Sequence, residues 1–193
     1  ILYTGTLSPY RYDTLLEALQ RFKKSDPARA SQLRFLFVGE GTEDLAAAAA
    51  DRDLCDMIET SGPVAYSKTI QLQQQAHALL LIAVKPYKGF ELGGSKVFSY
   101  LRAGRPIFGV LAKDEVRKIL QKVGVSTVAN IDSPCEIVSI LRTLLDAWSA
   151  GHLNSLLPDR RACEAYSAKR QTAALVQAFE AKPAAHVFVP GSA

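Results

Sequence analysis

Six short apolar segments alternate with segments of helical periodicity along most of the chain, and this alternation restricts the fold more than any other feature. The apolar segments are residues 1–4, 33–38, 57–60, 78–84, 107–111 and 125–128. Residues 78–84 (ALLLIAV) are apolar throughout, which is typical of a strand covered on both faces. The alternation predicts an α/β fold, a doubly wound Rossmann-like parallel sheet of about six strands with helices on both faces.

The segments between the strands have the spacing of amphipathic or alanine-rich helices. Predicted helices cover residues 12–22, 43–50, 67–77, 95–103, 113–122, 134 to about 148, and 160–181. We expect Asp13 and Ser67 to cap two of them, and Ser133 with Pro134 to begin the helix after the last strand. The chain is thus expected to form one domain over residues 1–182, followed by a tail over residues 183–193.

The common strand order of this fold, 3-2-1-4-5-6, predicts where a ligand would bind. In that order the first and fourth strands are neighbours, and ligands bind beyond the carboxyl ends of the strands at this switch point. The loop after the first strand is residues 5–11 (GTLSPYR), and the loop after the fourth is residues 85–95. These two loops carry glycines and cations, and we expect them to converge on one crevice.

The stretch from the fourth strand into the next helix has the features of an anion site. Its loop contains Lys85, Lys88, Gly89, Gly93 and Gly94. The first turn of a helix has free N–H donors and a partial positive charge, and glycines let an anion approach the backbone closely. A lysine in that first turn, Lys96, is unfavourable for the helix dipole. A bound phosphate would offset that cost.

The charge and composition of the chain disfavour some classes of function, although they exclude few. The chain has 193 residues, with 23 Lys and Arg against 19 Asp and Glu, and a formal net charge of +4. There is no long basic run, so nucleic-acid binding is not predicted, and a local cation cluster for a small anionic ligand explains the excess equally well. No segment approaches the roughly 20 apolar residues that a membrane span needs. The chain begins at Ile1 inside a strand-like run, so we expect a fragment or an excised domain.

Neither a metal site nor a dinucleotide site is predicted. The three cysteines are widely spaced and follow no metal-ligand pattern, which favours reduced thiols and a cytoplasmic location. The three histidines share no spacing either, and the DRD sequence at residues 51–53 lies in an alanine-rich, helical context, so a metal-bound diphosphate is not expected. Gly39 and Gly41 form a lone Gly-x-Gly, which favours a tight turn over a dinucleotide fingerprint.

Four blocks of sequence follow one another in the order and spacing of a known enzyme family. They are ILYTGTLSPYRYDTLLEAL, FLFVGEGTED, TSGPVAYSKTIQLQQQAHALLL and GSKVFSYLRAGRPIFGVL. The chain resembles the C-terminal, nucleotide-sugar-binding half of GT-B glycosyltransferases of the retaining, group-one type. It is most similar to bacterial members of cell-surface polysaccharide pathways. The resemblance covers residues 1–181.

The resemblance implies roles for residues in both crevice loops. Arg11 matches the cation of the first loop that reaches the donor's diphosphate, and Gly5 and Thr6 begin that loop. Glu91 matches the first carboxylate of a Glu-x7-Glu pattern, which lies near the transferred sugar and is the catalytic candidate. The family's phosphate-cradling loop matches Gly93, Gly94, Ser95 and Lys96.

Further matches concern the nucleoside. The second position of the Glu-x7-Glu pattern, which holds the ribose hydroxyls, falls on Ser99, so the pattern is half present. A serine can donate or accept a hydrogen bond, but it lacks the two-oxygen grip of a carboxylate on a diol. The base-binding segment after the third strand matches residues 63–66, with Val64 and Tyr66 as candidate contacts.

The function implied by the resemblance is that of the donor-binding domain of a retaining, metal-independent glycosyltransferase. Its donor would be a UDP- or GDP-linked nucleotide-sugar, and no further cofactor is expected. The family's N-terminal acceptor domain is expected to be missing, so this chain alone would bind a donor and transfer little, and any peripheral membrane association would come through the absent half. Two alternatives stay open: a non-catalytic nucleotide- or partner-binding module of the same fold, and a sugar-nucleotide epimerase-like domain.

Overall fold

The sheet of this protein has six parallel strands. A computed structural model describes residues 1–7, 12–82, 95–112 and 115–180. Its strands are β1 (Leu2–Thr4), β2 (Phe35–Val38), β3 (Ile58–Ser61), β4 (Leu79–Ile82), β5 (Ile107–Leu111) and β6 (Val128–Asn130). The strand order is β3-β2-β1-β4-β5-β6 and every neighbouring pair is parallel. This confirms the predicted fold class and strand order.

Helices connect the strands and cover both faces of the sheet. They are α1 (Asp13–Ser25), α2 (Pro27–Ala30), α3 (Glu43–Ala50), α4 (Tyr66–Gln75), α5 (Lys96–Ala103), α6 (Glu115–Lys122), α7 (Pro134–Ser149), α8 (Arg160–Glu164) and α9 (Ala168–Glu180). Every residue of β4 and β5 is buried, as expected for central strands between two helix layers. Helix α1 packs against α7, and α4 packs against α5. None of the helices in the described ranges has the length and apolar character of a membrane span.

The starts of two helices differ from the sequence prediction, whereas a third agrees. Ser133 caps α7 as predicted, because its hydroxyl accepts a hydrogen bond from the Glu136 N–H. The predicted cap Ser67 lies inside α4, since Ala65 is the residue whose carbonyl accepts the first helical hydrogen bond. Asp13 is likewise the first helical residue of α1 and not its cap. Its carboxylate remains in the first turn, where the helix dipole favours an anion.

The last strand and the last helix also differ from the prediction. Strand β6 begins at Val128 and not at Val125, because the Val125 N–H turns back to the carbonyl of Leu120. The predicted long helix over residues 160–181 is interrupted within its described part, which forms α8 and α9. Ser167 explains the restart, since its hydroxyl accepts a hydrogen bond from the Arg170 N–H and thereby caps α9.

Two backbone segments meet at the carboxyl ends of β1 and β2. The Gly5 N–H donates to the Val38 carbonyl at 2.8 Å, and the Leu7 N–H donates to the Glu40 carbonyl at 2.9 Å. Gly39 has a φ of +146°, and a Cβ atom placed on it would lie 2.3 Å from the Gly5 carbonyl oxygen. Only a glycine lets the two chains approach this closely.

We expect Gly39→Ala to lower the free energy of unfolding by about 2 kcal/mol or more, because the new methyl group meets backbone that cannot rotate away. Gly62→Ala is the matched control, since a Cβ atom there has no neighbour within 4 Å in the part of the chain that the structure describes. Its stability should stay within about 0.5 kcal/mol of the parent in chemical denaturation. Equal losses in the two variants would contradict the close contact.

Candidate functional site

A cleft of about 980 Å³ opens where β1, β2 and β3 end, and it extends along α4 and α5 to the chain around α8. Its position agrees with the rule that ligands of open α/β sheets bind beyond the carboxyl ends of the strands. The cleft brings together six of the residues singled out from the sequence. These are Gly5, Thr6, Val64, Tyr66, Lys96 and Ser99.

The remaining predicted residues are not part of this observed lining. Ser95 is the N-cap residue of α5, but its side chain makes no capping hydrogen bond and it is not among the residues that line the cleft. Seven others lie outside the described residues, and their roles stay predictions. They are Arg11, Lys85, Lys88, Gly89, Glu91, Gly93 and Gly94.

Lys96 is the central cation of the cleft. It is the first residue of α5, and its side chain crosses the backbone of Gly5 so closely that a Cβ atom on Gly5 would lie 2.6 Å from Lys96 Cε. Gly5 has a φ of +113°, which also favours glycine. The Lys96 ammonium donates to the hydroxyl of Tyr3 at 2.6 Å, and that hydroxyl donates to the Thr6 carbonyl at 2.7 Å.

Burial changes the acid–base behaviour of Lys96. Loss of hydration disfavours a charged amine, so the pKa of Lys96 falls from 10.5 to about 8. The ammonium form still dominates at neutral pH, but it is poorly hydrated. An anion that reached this amine would therefore displace little water and would interact with it strongly.

Ser99 lies one helical turn after Lys96 and lines the same cleft. Its hydroxyl donates to the backbone carbonyl of Lys96 at 2.9 Å. Because a hydroxyl has a single hydrogen, Ser99 in this geometry offers a ligand only its lone pairs. It can accept a hydrogen bond from a ligand hydroxyl, but it cannot donate one while the bond to the helix backbone is kept.

A buried polar network, two of whose residues (Thr4 and Gln73) line the cleft, was not predicted from the sequence. The side-chain amide of Gln73, which is 5% exposed, donates to the Thr4 hydroxyl at 2.9 Å. The Thr4 N–H in turn donates to the hydroxyl of Tyr100 at 3.0 Å. These bonds connect β1, α4 and α5, so the two helices that wall the cleft are fixed to the strand at its centre.

The side of the cleft beside β2 and β3 carries polar side chains and an exposed aromatic ring. On the β2–β3 side, the Thr6 hydroxyl donates to Glu40 at 3.4 Å, and Tyr66 is 73% exposed, which leaves its ring face accessible to a flat ligand. The Gly-x-Gly segment after β2 forms the predicted turn, yet Gly39 and Glu40 also line the cleft.

The far wall of the cleft comes from α8 and the residues after it, which the sequence pattern did not mark. Its residues are Arg160, Cys163, Glu164, Tyr166, Ser167 and Ala168. The ring of Tyr166 lies 6.1 Å from that of Phe98, and this contact holds the wall against α5. Burial, with a contribution from Asp159, raises the pKa of the Cys163 thiol, so this cysteine is a poor nucleophile.

The cleft can hold an anion with a polar, flat extension. Its described lining contains three cations, Lys96, Arg102 and Arg160, and two carboxylates, Glu40 and Glu164. Among the residues that the structure describes, no three histidine, cysteine or acidic side chains are grouped so that they could bind a metal ion.

Three solved structures share the fold of this chain. They are the pneumococcal O-GlcNAc transferase GtfA in complex with UDP and GlcNAc (17% identity, TM-score 0.65), a variant of S. aureus TarM in complex with fondaparinux, alpha-GlcNAc-glycerol and UDP (14%, 0.66), and WaaG, a glycosyltransferase involved in lipopolysaccharide biosynthesis (15%, 0.60). No protein-family model and no curated protein sequence matches this chain.

These similarities extend over nearly the whole chain but only part of each larger protein. The aligned region covers 93%, 92% and 89% of this chain, and 35%, 34% and 42% of GtfA, TarM and WaaG respectively. The chain thus spans well under half the length of these enzymes. It shares the fold of one domain of GT-B glycosyltransferases, as its sequence resemblance implied.

Proposed function

We propose that this chain is the nucleotide-sugar-binding domain of a retaining glycosyltransferase and that the cleft binds the donor's nucleoside diphosphate. The observation that carries the proposal is the placement of Lys96. It is a partly buried amine at the first turn of an eight-residue helix, in a cleft at the carboxyl ends of the strands. A diphosphate there would interact with the ammonium and with the positive end of the α5 dipole together.

The ribose and base fit the rest of the lining. A ribose hydroxyl can donate to the lone pairs of Ser99, one helical turn from Lys96. The base would extend toward Val64 and Tyr66, where an exposed aromatic ring offers a stacking surface. The donor would be linked to UDP or GDP, and the UDP found in GtfA and in TarM supports a uridine nucleotide as the first ligand to test.

The chemical contribution of this domain would be to stabilise the leaving group. When the bond from the sugar to the diphosphate breaks, negative charge grows on the phosphate oxygens, and a poorly hydrated cation fixed in place lowers the energy of that transition state. Lys96 supplies such a cation, and we assign Arg11 and the N–H groups of Gly94 and Ser95 to the same diphosphate. Glu91 would orient the hydroxyls of the transferred sugar. No metal ion is required for these roles.

The complete reaction would need more protein than this chain contains. The acceptor would bind to a second domain that faces the cleft, and transfer would occur between the two domains. The resemblance to bacterial enzymes, together with the involvement of WaaG in lipopolysaccharide biosynthesis, supports a place in the synthesis of surface polysaccharide. The cell compartment that fits this assignment is the cytoplasm.

Calorimetry with UDP, GDP and ADP tests the ligand class. We expect at least one of the three to bind and to raise the melting temperature, and we expect Lys96→Ala to weaken that binding about tenfold or more because a charged hydrogen bond is lost. Lys122→Ala removes an exposed lysine at the end of α6, away from the cleft, and should leave the affinity unchanged. Absence of heat with all three nucleotides would refute the proposal.

The pH dependence of binding follows from the lowered pKa of Lys96, about 8. Only the ammonium form attracts the diphosphate, and bound anion raises the pKa of Lys96, so binding above pH 8 requires uptake of a proton. We expect affinity for UDP to fall about fivefold between pH 8 and pH 9. Lys96→Ala should bind more weakly but with no such slope. A flat profile in the parent protein would contradict the combination of a lowered Lys96 pKa and a contact between Lys96 and the phosphates.

A non-catalytic module of the same fold is the second candidate, and Ser99 favours it because the hydroxyl is already bonded to its own helix. Ser99→Glu discriminates the two functions. If ribose recognition has been lost, the restored carboxylate should raise the affinity for UDP about tenfold, since it would grip both ribose hydroxyls. If the site is adapted to serine, as we expect for the transferase, the affinity should not rise.

A further inference from the structure

We propose that Tyr3 is a positioning residue for the diphosphate site, because its hydroxyl fixes the Lys96 ammonium against the backbone of the loop after β1. This inference rests on the proposed function. Tyr3 itself is 1% exposed and is not among the residues that line the cleft. Any effect of Tyr3 on a ligand must therefore act through the residues that it holds.

The direction of the two hydrogen bonds on Tyr3 makes the arrangement specific. The Tyr3 hydroxyl donates its only hydrogen to the Thr6 carbonyl at 2.7 Å. It therefore accepts the hydrogen bond from the Lys96 ammonium, at 2.6 Å, through an oxygen lone pair. Donation to Thr6 also increases electron density on the phenol oxygen, which strengthens its acceptor role. One hydroxyl thereby joins the cation to the loop that Gly5 and Thr6 begin.

The ring of Tyr3 cannot move to follow a mobile lysine. It lies in the middle of β1, paired in register with Phe37 of β2, and the centroids of the two rings are 5.5 Å apart. Phenylalanine at this position would bury the same ring in the same core. The hydroxyl is thus the part of Tyr3 that core packing does not require, and it points to the cleft residues.

Fixing the Lys96 side chain before the ligand binds should increase the affinity for the diphosphate. A lysine side chain loses much rotational freedom when it is fixed, and a site that has fixed it before the ligand arrives binds more tightly. Gly5 contributes by leaving room for the methylene chain of Lys96. The result would be an ammonium already directed at the phosphate position in the free protein.

Tyr3→Phe tests the proposal with UDP and uridine as probes. We expect the affinity for UDP to fall about fivefold, the value of one hydrogen bond, and the affinity for uridine to stay unchanged. In the Lys96→Ala background, Tyr3→Phe should cause no further loss for UDP, because the group that it positions is gone. Tyr12→Phe is the control, since it removes a phenol hydroxyl that does not line the cleft and should leave both affinities unchanged.

A second measurement does not depend on the ligand. Carbon-13 relaxation at Lys96 Cε should show a less ordered side chain in Tyr3→Phe than in the parent and in Tyr12→Phe. Unchanged order, or equal UDP affinity in Tyr3→Phe and the parent, would overturn the role of Tyr3 and leave the proposed function standing. A parent protein that binds no UDP would overturn both. An equal loss for uridine and UDP would show a general structural defect and would also refute the inference.

Discussion

The parallel direction of the six strands is the constraint on which the cleft depends. Because all strands point the same way, every strand ends at the same edge of the sheet, and the chain must leave that edge through short turns. At β1 and β2 these turns are in backbone contact, with Gly5 bonded to Val38 and Gly39 pressed against Gly5. The side chain of Lys96 crosses the backbone of Gly5 at this contact.

Lys96 combines three features that are individually unfavourable. It is a cation at the positive end of a helix, it is partly removed from water, and its side chain is held by the Tyr3 hydroxyl. Each feature would contribute favourably once an anion is bound. A folded protein tolerates such local costs most readily at functional sites, because the rest of the sheet and its helices supply the stability.

The topology and the crevice could be predicted from sequence because both follow from local signals. Apolar strands, helical periodicity and the handedness of crossovers determine which loops meet, and this placed Gly5, Thr6 and Lys96 in one cleft, whereas Ser99 came from the family resemblance. The network of Gln73, Thr4 and Tyr100 could not be found this way, since its partners are 69 and 96 positions apart in the chain and no spacing rule relates them.

Other differences have equally local physical causes. The interruption between α8 and α9 lies in residues that are compatible with a helix, so periodicity alone predicts one continuous element, and the cap formed by Ser167 is visible only in three dimensions. Tyr3 lies in the strand predicted over residues 1–4. Its burial fits a strand residue, but the hydrogen bond that its hydroxyl accepts comes from Lys96, 93 positions away. For Arg11 and Glu91 the sequence prediction remains the only basis.

The crossing of the Lys96 side chain over Gly5 implies a coupling between two distant positions. A Cβ atom at position 5 would lie 2.6 Å from Lys96 Cε, so any side chain larger than hydrogen there would require the end of the lysine side chain to shift. A homologous protein that carries a larger residue at position 5 should therefore have lost the selective advantage of lysine at position 96. Among homologous proteins, glycine at position 5 and lysine at position 96 should therefore be kept together or replaced together.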